Sequence, residues 1–302
     1  MAVHQIFSMA QSPSEFFERA FASNIGLLSP DEQAKLRQAT VAIPGMGGVG
    51  GAHLLTLVRL GVGRFKIADR DVFELHNINR QLGATSQTLG RLKTDIMATM
   101  AKEINPHVAV DTLQDEITPA NIDRFLEGAD VVIDGLDFFR IDARRLLFAR
   151  ARAKRLPVVT CGPLGFSVAL LTFLPDGPSF DEFMAIDDRM TEREQLIRFA
   201  VGLAPAGLHI PYLDLGRINL AERRGPSSVV AINLCAAVAA TETLNLILQR
   251  RPPLAVPRYA QFDPYRLHYR RGTLWLGNRH PWQQMKLWYL RRRLSHVLAA
   301  QL

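Results

Sequence analysis

The chain has 302 residues and is 48% hydrophobic, so it can bury one large α/β core. No segment approaches the roughly 18 consecutive apolar residues of a membrane span, and the first residues lack the basic start and apolar run of a signal peptide. With only two cysteines, Cys161 and Cys235, these features predict a cytoplasmic protein in a reducing compartment, without a transmembrane segment. The formal net charge is +7 at pH 7.

Apolar runs alternate with amphipathic stretches along the first part of the chain. We predict strands near 40–44, 65–69, 107–113, 130–135, 157–161 and 167–174. We predict helices near 31–38, 50–60, 91–104, 119–127 and 140–155. This alternation is typical of an α/β fold with a Rossmann-like, mostly parallel sheet and helices on both faces. The strand at 167–174 follows a Gly-Pro-Leu-Gly turn with no helix between, which predicts an antiparallel extension of the sheet.

A glycine-rich turn follows the first predicted strand. It has the pattern G-x-G-G-x-G and precedes a helix that begins near Ala52. Glycines permit a sharp turn there and let backbone amides approach a phosphate at the positive end of a helix. The glycines expected to do so are Gly45, Gly47, Gly48 and Gly50. The second predicted strand ends at Asp69, which is placed to accept hydrogen bonds from a ribose. These residues predict a nucleotide site.

Further polar motifs narrow the class of nucleotide. They are Asp69-Arg70-Asp71, Asn77-Ile78-Asn79-Arg80-Gln81, Gly90-Arg91-Leu92-Lys93 and Asp134-Gly135-Leu136-Asp137. A dinucleotide such as NAD is held largely by amides, glycines and one acid. The cations Arg80 and Lys93 and the second carboxylate, Asp137, instead suit a triphosphate and its Mg²⁺, because cations neutralise phosphoryl oxygens and a carboxylate holds the metal.

The order of these motifs resembles the ThiF/MoeB/HesA family, the bacterial relatives of ubiquitin-activating enzymes, over about residues 20–175. The resemblance implies an adenylyltransferase that uses ATP and Mg²⁺ to activate a carboxylate of a protein, a peptide or a small acid. Its usual acceptor is the C-terminal glycine of a ubiquitin-like protein. No protein nucleophile is required for that step, because positioning and charge neutralisation supply the catalysis.

The resemblance also implies a role for each motif residue. Asp69 resembles the ribose ligand, and Asp137 resembles the magnesium ligand. The phosphate ligands are Asn77, Arg80 and Lys93, and the predicted nucleotide-binding set is completed by Asp71 and Gln81. The residues predicted to be catalytic are Arg80, Lys93 and Asp137. By the residues alone, Asp71 could instead only brace the loop between strand and helix.

The chain departs from the family at two positions. Family members commonly place an arginine, which reaches the ATP of the partner subunit, where this chain has Ser23. Arg19 lies four residues earlier, one helical turn away. The family commonly has asparagine after the magnesium ligand, whereas this chain has Phe138 after Asp137.

The cysteines exclude two features of many relatives. The chain has no C-x-x-C pair, so a four-cysteine structural zinc cannot form within one chain, and no zinc site is predicted. Cys161 ends an apolar strand and Cys235 lies within an apolar helix, and we expect both thiols to be buried. We therefore predict adenylation without a catalytic cysteine.

Three regions are expected along the chain. Residues 1–38 form a helical lead-in and residues 39–250 form the ATP-binding adenylating domain. Within it, residues 175–228 are rich in proline, glycine and charge, which predicts a crossover-like segment with only short helices. By the resemblance, that segment crosses the active site and shapes the acceptor cleft. A long helix is predicted from Val229 to Arg250.

Residues 251–302 are predicted to form a basic β-hairpin, near 259–277, and a helix. Residues 250–302 carry eleven Lys and Arg against one acid, Asp263, a net charge of +10, whereas the rest of the chain carries −3. Such a region can bind an acidic partner or an anionic lipid, or simply face water. No nucleic-acid motif accompanies the charge, so no specific nucleic-acid binding is expected. An apolar stripe from Leu287 to Leu302 is expected to pack on this domain or on a second copy.

The sequence therefore predicts an adenylyltransferase that works as a homodimer, since relatives commonly pair and twofold pairs are the commonest closed assembly. Two alternatives remain open. A NAD-type oxidoreductase explains the glycine turn and Asp69 but leaves Asn77, Arg80 and Lys93 without a role. A non-catalytic nucleotide-binding scaffold is favoured by Ser23 and Phe138.

Overall fold

The computed structural model describes residues 12–218, 223 and 225–299, with side chains up to Arg293. The strands are β1 Thr40–Pro44, β2 Arg64–Ala68, β3 Ala109–Leu113, β4 Val131–Asp134, β5 Val158–Leu164, β6 Ser167–Phe173, β7 Arg258–Asp263 and β8 His268–Thr273. The helices are α1 Pro13–Ala20, α2 Pro30–Gln38, α3 Gly48–Arg59, α4 Lys93–Ile104, α5 Ile122–Phe125, α6 Ile141–Ala153, α7 Phe180–Met184, α8 Glu192–Leu203, α9 Val229–Leu248 and α10 Pro281–Ala299.

The described strands form one sheet in the order β3-β2-β1-β4-β5-β6-β7-β8. The first five of these strands run parallel. From β5 onwards the pairing is antiparallel, and β5 turns directly into β6 with Leu164 opposite Ser167. The predicted fold class and the antiparallel extension are confirmed. Because β1, β2 and β4 are parallel, the loops that leave their carboxyl ends share one edge of the sheet.

Two apolar layers cover the two faces of the sheet. Along β1, Val41 and Ile43 join one core cluster and Ala42 joins the other, as the two-residue period of a strand requires. One layer is built from α3, α4 and α9, and the other from α5 to α8. Burial on both faces explains why these strands are nearly continuous runs of apolar residues.

Several helix boundaries differ from the prediction. The helix expected at 119–127 is reduced to Ile122–Phe125. The crossover-like segment was predicted to hold only short helices, but α8 has twelve residues, begins with a Thr191 side-chain cap on the Glu194 amide and buries Phe199 in the core. Polar and charged residues in the first turn of α8 concealed its apolar face in the sequence. The prediction of only short helices was therefore wrong there.

Helix α9 is the longest helix of the layer that also contains α3 and α4. It packs along α3 and across β5, with Cys235 and Ala239 fully buried. By length and composition alone its 20 residues could cross a membrane, and half of that window is buried inside the protein. Its apolar composition is consistent with its place in the core, next to the glycine turn.

Helix α10 lies against α8. Leu287 is fully buried and packs with Ile197 and Val201, while Leu290 lies at the edge of the same cluster. The predicted apolar stripe therefore begins by packing on its own chain. Its remaining members, Leu294, Val297, Leu298 and Leu302, lie outside the side chains that are described.

Candidate active site

The glycine turn lies between the carboxyl end of β1 and the first turn of α3. Gly45 has a φ of +89°, and a Cβ there would overlap the carbonyl oxygen of Gly135 in the loop after β4. A Cβ on Gly50 would overlap the carbonyl oxygen of Gly45. These two glycines are therefore required by the close approach of three backbone segments, whether or not a ligand binds.

The other two glycines have different surroundings. A Cβ on Gly47 would meet only the Gln81 side-chain amide, at 3.6 Å, and one on Gly48 would press on the flexible end of Ile232, at 2.8 Å. Gly47 is the N-cap of α3, and its cap carries no side-chain hydrogen bond. The positive end of a twelve-residue helix therefore has no side-chain cap, an arrangement that suits a phosphate.

Asp69 follows β2 and faces the glycine turn. Its Oδ2 accepts a hydrogen bond from the Met46 amide at 2.7 Å, and its Oδ1 accepts one from the Asp71 amide at 2.9 Å. Burial raises the pKa of Asp69, and the nearby Lys93 ammonium opposes that rise. Each oxygen keeps a further lone pair, so the carboxylate can brace the turn and still accept from a ribose hydroxyl.

Lys93 begins α4 and is buried. Its Nζ lies 3.1 Å from Asp71 Oδ2, and its backbone amide donates to the Asp71 carbonyl at 2.9 Å. Asp71 therefore holds both the backbone and the side chain of Lys93. This contact gives Asp71 a positioning role, one of the two roles the sequence left open for it.

The loop after β2 carries the next three predicted residues. Asn77 is buried, and its Oδ1 accepts from the Glu74 amide at 3.0 Å. Arg80 Nη1 donates to the His76 carbonyl at 2.8 Å. Gln81 is also buried, next to Gly47, and its Oε1 has no hydrogen-bond partner among the described residues. This loop therefore brings the Gln81 amide to Gly47, and the backbone carbonyl of Arg80 lies near Gly48.

Asp137 lies in the loop after β4 and is exposed. Its Oδ1 accepts from the Phe139 amide at 2.9 Å, which leaves its other oxygen for a ligand. Burial lowers the pKa of Arg80, and the Asp137 carboxylate acts on the same guanidinium to raise it. That interaction brings the predicted magnesium ligand and a predicted phosphate ligand to the same edge of the sheet.

Arg144 on α6 is a site residue that the sequence analysis missed. Its Nε donates to Asp134 Oδ2 at 2.8 Å, and its Nη2 donates to the carbonyls of Leu136, at 2.8 Å, and Asp137, at 3.1 Å. Both members of the Asp134–Arg144 pair are buried. The guanidinium therefore shapes the loop that carries Asp137. The sequence could have indicated this residue, because Arg144 is an arginine at a position of α6 that faces the core.

Phe138 connects the same loop to the crossover-like segment. Its ring centroid lies 5.2 Å from that of Phe199 on α8, and the Arg144 guanidinium lies 4.3 Å from the centre of the Phe199 ring. The residue that replaces the family's common asparagine thus packs on α8. The Asp137 loop and α8 are held together by an aromatic contact and a cation–π contact.

Four further residues singled out in the sequence lie away from these contacts. Cys161 and Cys235 are buried, as predicted, and burial raises the pKa of both thiols well above the ordinary range. Ser23 lies in a short 3₁₀ turn, Ala22–Asn24. Arg19 is exposed, 4.0 Å from Glu15 on the same helix.

The comparisons with known proteins agree with this geometry. The model of the ThiF family matches residues 21–281, and the chain belongs to that family. It is 38% identical over 150 residues to the tRNA threonylcarbamoyladenosine dehydratase of Haemophilus influenzae, covering 49% of this chain and 57% of the relative. It is 31% identical over 145 residues to the sulfur carrier protein ThiS adenylyltransferase of Escherichia coli, covering 48% and 57%.

Solved structures show the same fold. E. coli MccB with AMPCPP and MccA superposes with a TM-score of 0.64 at 17% identity, covering 88% of this chain and 74% of that one. The chain spans little more than half of the length of the curated relatives just named. The matches therefore establish the family and the fold, and the ligand roles of the individual residues stay predictions.

Proposed function

We propose that the chain is an adenylyltransferase that uses ATP and Mg²⁺ to convert a carboxylate into an acyl-adenylate. The observation that carries the proposal is the meeting of three loops at one sheet edge. The uncapped start of α3 and Asp69 lie beside Lys93, Arg80 and Asp137, through the contacts described above. A simple dinucleotide site gives no role to two cations and a second carboxylate.

In the proposed reaction a carboxylate oxygen of the acceptor attacks the α-phosphorus of ATP. A new oxygen–phosphorus bond forms, the bond to the β-phosphate oxygen breaks, and pyrophosphate leaves with its electron pair. Both reactants are anions, so Arg80 and Lys93 would neutralise charge on the phosphoryl oxygens as the new bond forms. Asp69 would hold the ribose, and the amides at Gly47 and Gly48 would bind phosphate oxygens.

The described residues suit a magnesium ion that is held partly by the nucleotide better than they suit a metal ion that is held by protein ligands alone. Within the part of the chain that the structure describes, no three His, Cys, Asp or Glu side chains form a metal-binding group. Mg²⁺ commonly takes one or two carboxylates and completes its shell with phosphate oxygens and waters. Asp137 would supply that carboxylate, and the ion would neutralise charge on the phosphates. Asp137→Asn is expected to raise the Mg²⁺ concentration needed for half-maximal turnover.

For the acceptor we propose a chemical class. The names of the relatives span a sulfur carrier protein and a threonylcarbamoylated tRNA, and MccB was solved with MccA. All three are consistent with an acceptor that carries a carboxylate, and for this chain we propose a carboxylate of a protein, a peptide or a small acid. Neither cysteine is accessible, so the adenylate would be passed to a nucleophile outside this chain.

Pyrophosphate exchange into ATP tests the proposal. We expect exchange to depend on Mg²⁺ and on an added carboxylate, tried as carrier-protein tails, peptides, small acids and modified tRNA. Calorimetry with Mg·ATP and with NAD supplies the control. Tight binding of NAD with no response to Mg·ATP would favour the oxidoreductase alternative and reject adenylation, and ATP binding without exchange for any acceptor would favour a non-catalytic scaffold.

We also propose a homodimer, built beside the site. The loop that carries Arg80 exposes Leu75 and Ile78, and Asn79 Nδ2 donates to the Ser227 carbonyl at 3.4 Å, next to the exposed Val230. These apolar side chains need a cover that a twofold copy can give. Light scattering should show a dimer that Leu75→Glu weakens. A monomer at micromolar concentration would reject it.

A further inference from the structure

The chain contains three tryptophans, and all of them lie on the outside of one region. Trp275 is 79% exposed, Trp282 is 65% exposed and Trp288 is 54% exposed. Tryptophan is usually among the better buried residues of a folded chain. We define the tryptophan surface as these three residues with Leu276, Met285 and Tyr289, which are exposed in the same segment.

The helical part of this surface is the side of α10 that faces away from α8. Leu287 is buried against α8, and Gln283 Nε2 donates to the Val201 carbonyl at 3.0 Å. Trp282, Met285 and Tyr289 follow at helical spacing on the opposite face of α10. Helix α10 therefore presents apolar residues on two faces, and packing among the described residues explains only one of them.

Cations accompany the tryptophan surface. The Arg292 guanidinium lies 4.1 Å from the centre of the Trp288 ring, and that of Arg293 lies 5.7 Å from the centre of the Tyr289 ring. The single acid of residues 250–302, Asp263, is fully buried and accepts from the Tyr212 hydroxyl at 2.7 Å. Asp263 therefore does not face outward, and the carboxylates that pair with cations of this region come from other elements, as Glu194 does with Arg291 and Glu32 with Arg250.

The tryptophan surface begins at a strand end that lies away from the glycine turn. In β8 the last residue, Thr273, pairs with Arg258 at the start of β7. Because β6, β7 and β8 alternate in direction, Thr273 lies at the edge of the sheet opposite the one that carries the glycine turn and Asp137. Trp275 follows two residues later, and none of the residues of this surface belongs to the proposed nucleotide site.

We propose that the tryptophan surface binds the surface of an anionic lipid bilayer. Tryptophan and tyrosine place an apolar ring and a polar edge at the boundary between headgroups and acyl chains, and arginines beside them bind anionic headgroups. A second copy of this chain would bring like charges together. The exposed side chains lie on a helix and on the turn before it, and a fluid surface accommodates them without a matching shape.

Intrinsic fluorescence reads this contact directly, because every tryptophan of the chain lies in the surface. The full-length protein is mixed with vesicles of phosphatidylglycerol and phosphatidylcholine, and with vesicles of phosphatidylcholine alone. We expect a blue shift of the emission and co-sedimentation with the anionic vesicles only, both reduced by high salt. No shift and no co-sedimentation with anionic vesicles would overturn the proposal.

Two variants test the two components of the surface. Trp282→Gln with Trp288→Gln, which leaves Trp275 as the reporter, should weaken vesicle binding by about tenfold or more, since apolar contact contributes to interfacial binding. Arg292→Glu with Arg293→Glu should weaken it by a similar factor, since each basic side chain adds to the attraction. Pyrophosphate exchange should remain at the wild-type rate in both, which separates this proposal from the proposed function.

Matched controls use equally exposed side chains elsewhere. Leu27→Gln with Leu267→Gln removes exposed apolar side chains, and Arg59→Glu with Arg124→Glu reverses exposed charges. Both should bind vesicles as the wild type does. Equal losses in variants and controls would show that binding is unspecific and would reject the surface. A blue shift with poly-glutamate but not with vesicles would assign the surface to an acidic protein instead.

Discussion

Arg144 Nε lies 2.8 Å from Asp134 Oδ2, and both side chains are buried beneath the loop that carries Asp137. The Thr160 hydroxyl donates to the same carboxylate oxygen at 2.9 Å. The three remaining guanidinium contacts go to backbone carbonyls of the loop, those of Leu136, Asp137 and Phe138. A planar fork that pairs with a carboxylate and three carbonyls fixes the direction of the backbone, which a lysine cannot do.

The first prediction concerns this pair. Arg144→Met should lower the free energy of unfolding by about 3–5 kcal/mol, because it leaves the buried Asp134 carboxylate without its cation. Arg144→Lys keeps the charge but loses the carbonyl contacts, so it should fold and should need more Mg²⁺ for half-maximal exchange. Denaturant unfolding and Mg²⁺ titrations measure the two effects. Arg150→Lys, on the same helix and in an exposed pair with Asp123, is the control. An unchanged Mg²⁺ requirement in Arg144→Lys would remove its positioning role.

The second prediction concerns charge at the proposed phosphate site. Lys93→Ala and Arg80→Ala should each reduce exchange by about 10²–10³-fold, since each removes a cation worth about 2–4 kcal/mol in the transition state. Asp71→Asn should show a smaller loss, because Asp71 positions Lys93 through the 3.1 Å contact. Lys102→Ala, an exposed lysine on the same helix, should behave as the wild type. Near-full activity in both cation variants would mean that the site is assigned wrongly.

The third prediction concerns the two thiols. Because both are buried and the proposed chemistry needs no side-chain nucleophile, the double variant Cys161→Ser with Cys235→Ala should still form the acyl-adenylate. Single-turnover assays with labelled ATP measure this, with circular dichroism as the control for folding. A thioester conjugate that appears on a non-reducing gel and disappears in the Cys161 variant would contradict the prediction.

The fourth prediction concerns pH and His53, which is fully buried on α3. Its ring nitrogens have no hydrogen-bond partner among the described residues, and burial lowers its pKa from 6.5 to about 4. Between those two values the unfolded chain binds the proton and the folded chain does not. His53 therefore opposes folding increasingly as the pH falls from 6.5 to about 4, by up to about 3 kcal/mol.

Denaturant unfolding at pH 7.0 and pH 4.5 tests this sign. His53→Leu cannot take up the proton, so its loss of stability over that interval should be smaller than that of the wild type by about 2–3 kcal/mol. His268→Leu, an exposed histidine on β8, should follow the wild type. Equal pH dependence in all three proteins would show that His53 is protonated to the same degree in both states.

Local sequence determined the part of the site that comes from turns and strand ends. The glycine turn, Asp69 and Asp137 each follow a strand directly, and parallel strands bring such ends to one edge whatever the details of packing. For that reason the fold class, the antiparallel extension and the family could be predicted from the order of motifs. Helix boundaries were less reliable, since α5 and α8 depend on what they pack against.

Tertiary structure alone decided the contacts that join distant segments. Arg144 lies beside Asp134 and Phe199, Lys93 beside Asp71, and Leu287 against Ile197, and none of these pairs has a local spacing signal. The same holds for the tryptophans. A sequence gives the apolar character of a side chain. Whether that side chain is buried depends on which elements pack together, and the free energy of burial is shared among residues far apart along the chain.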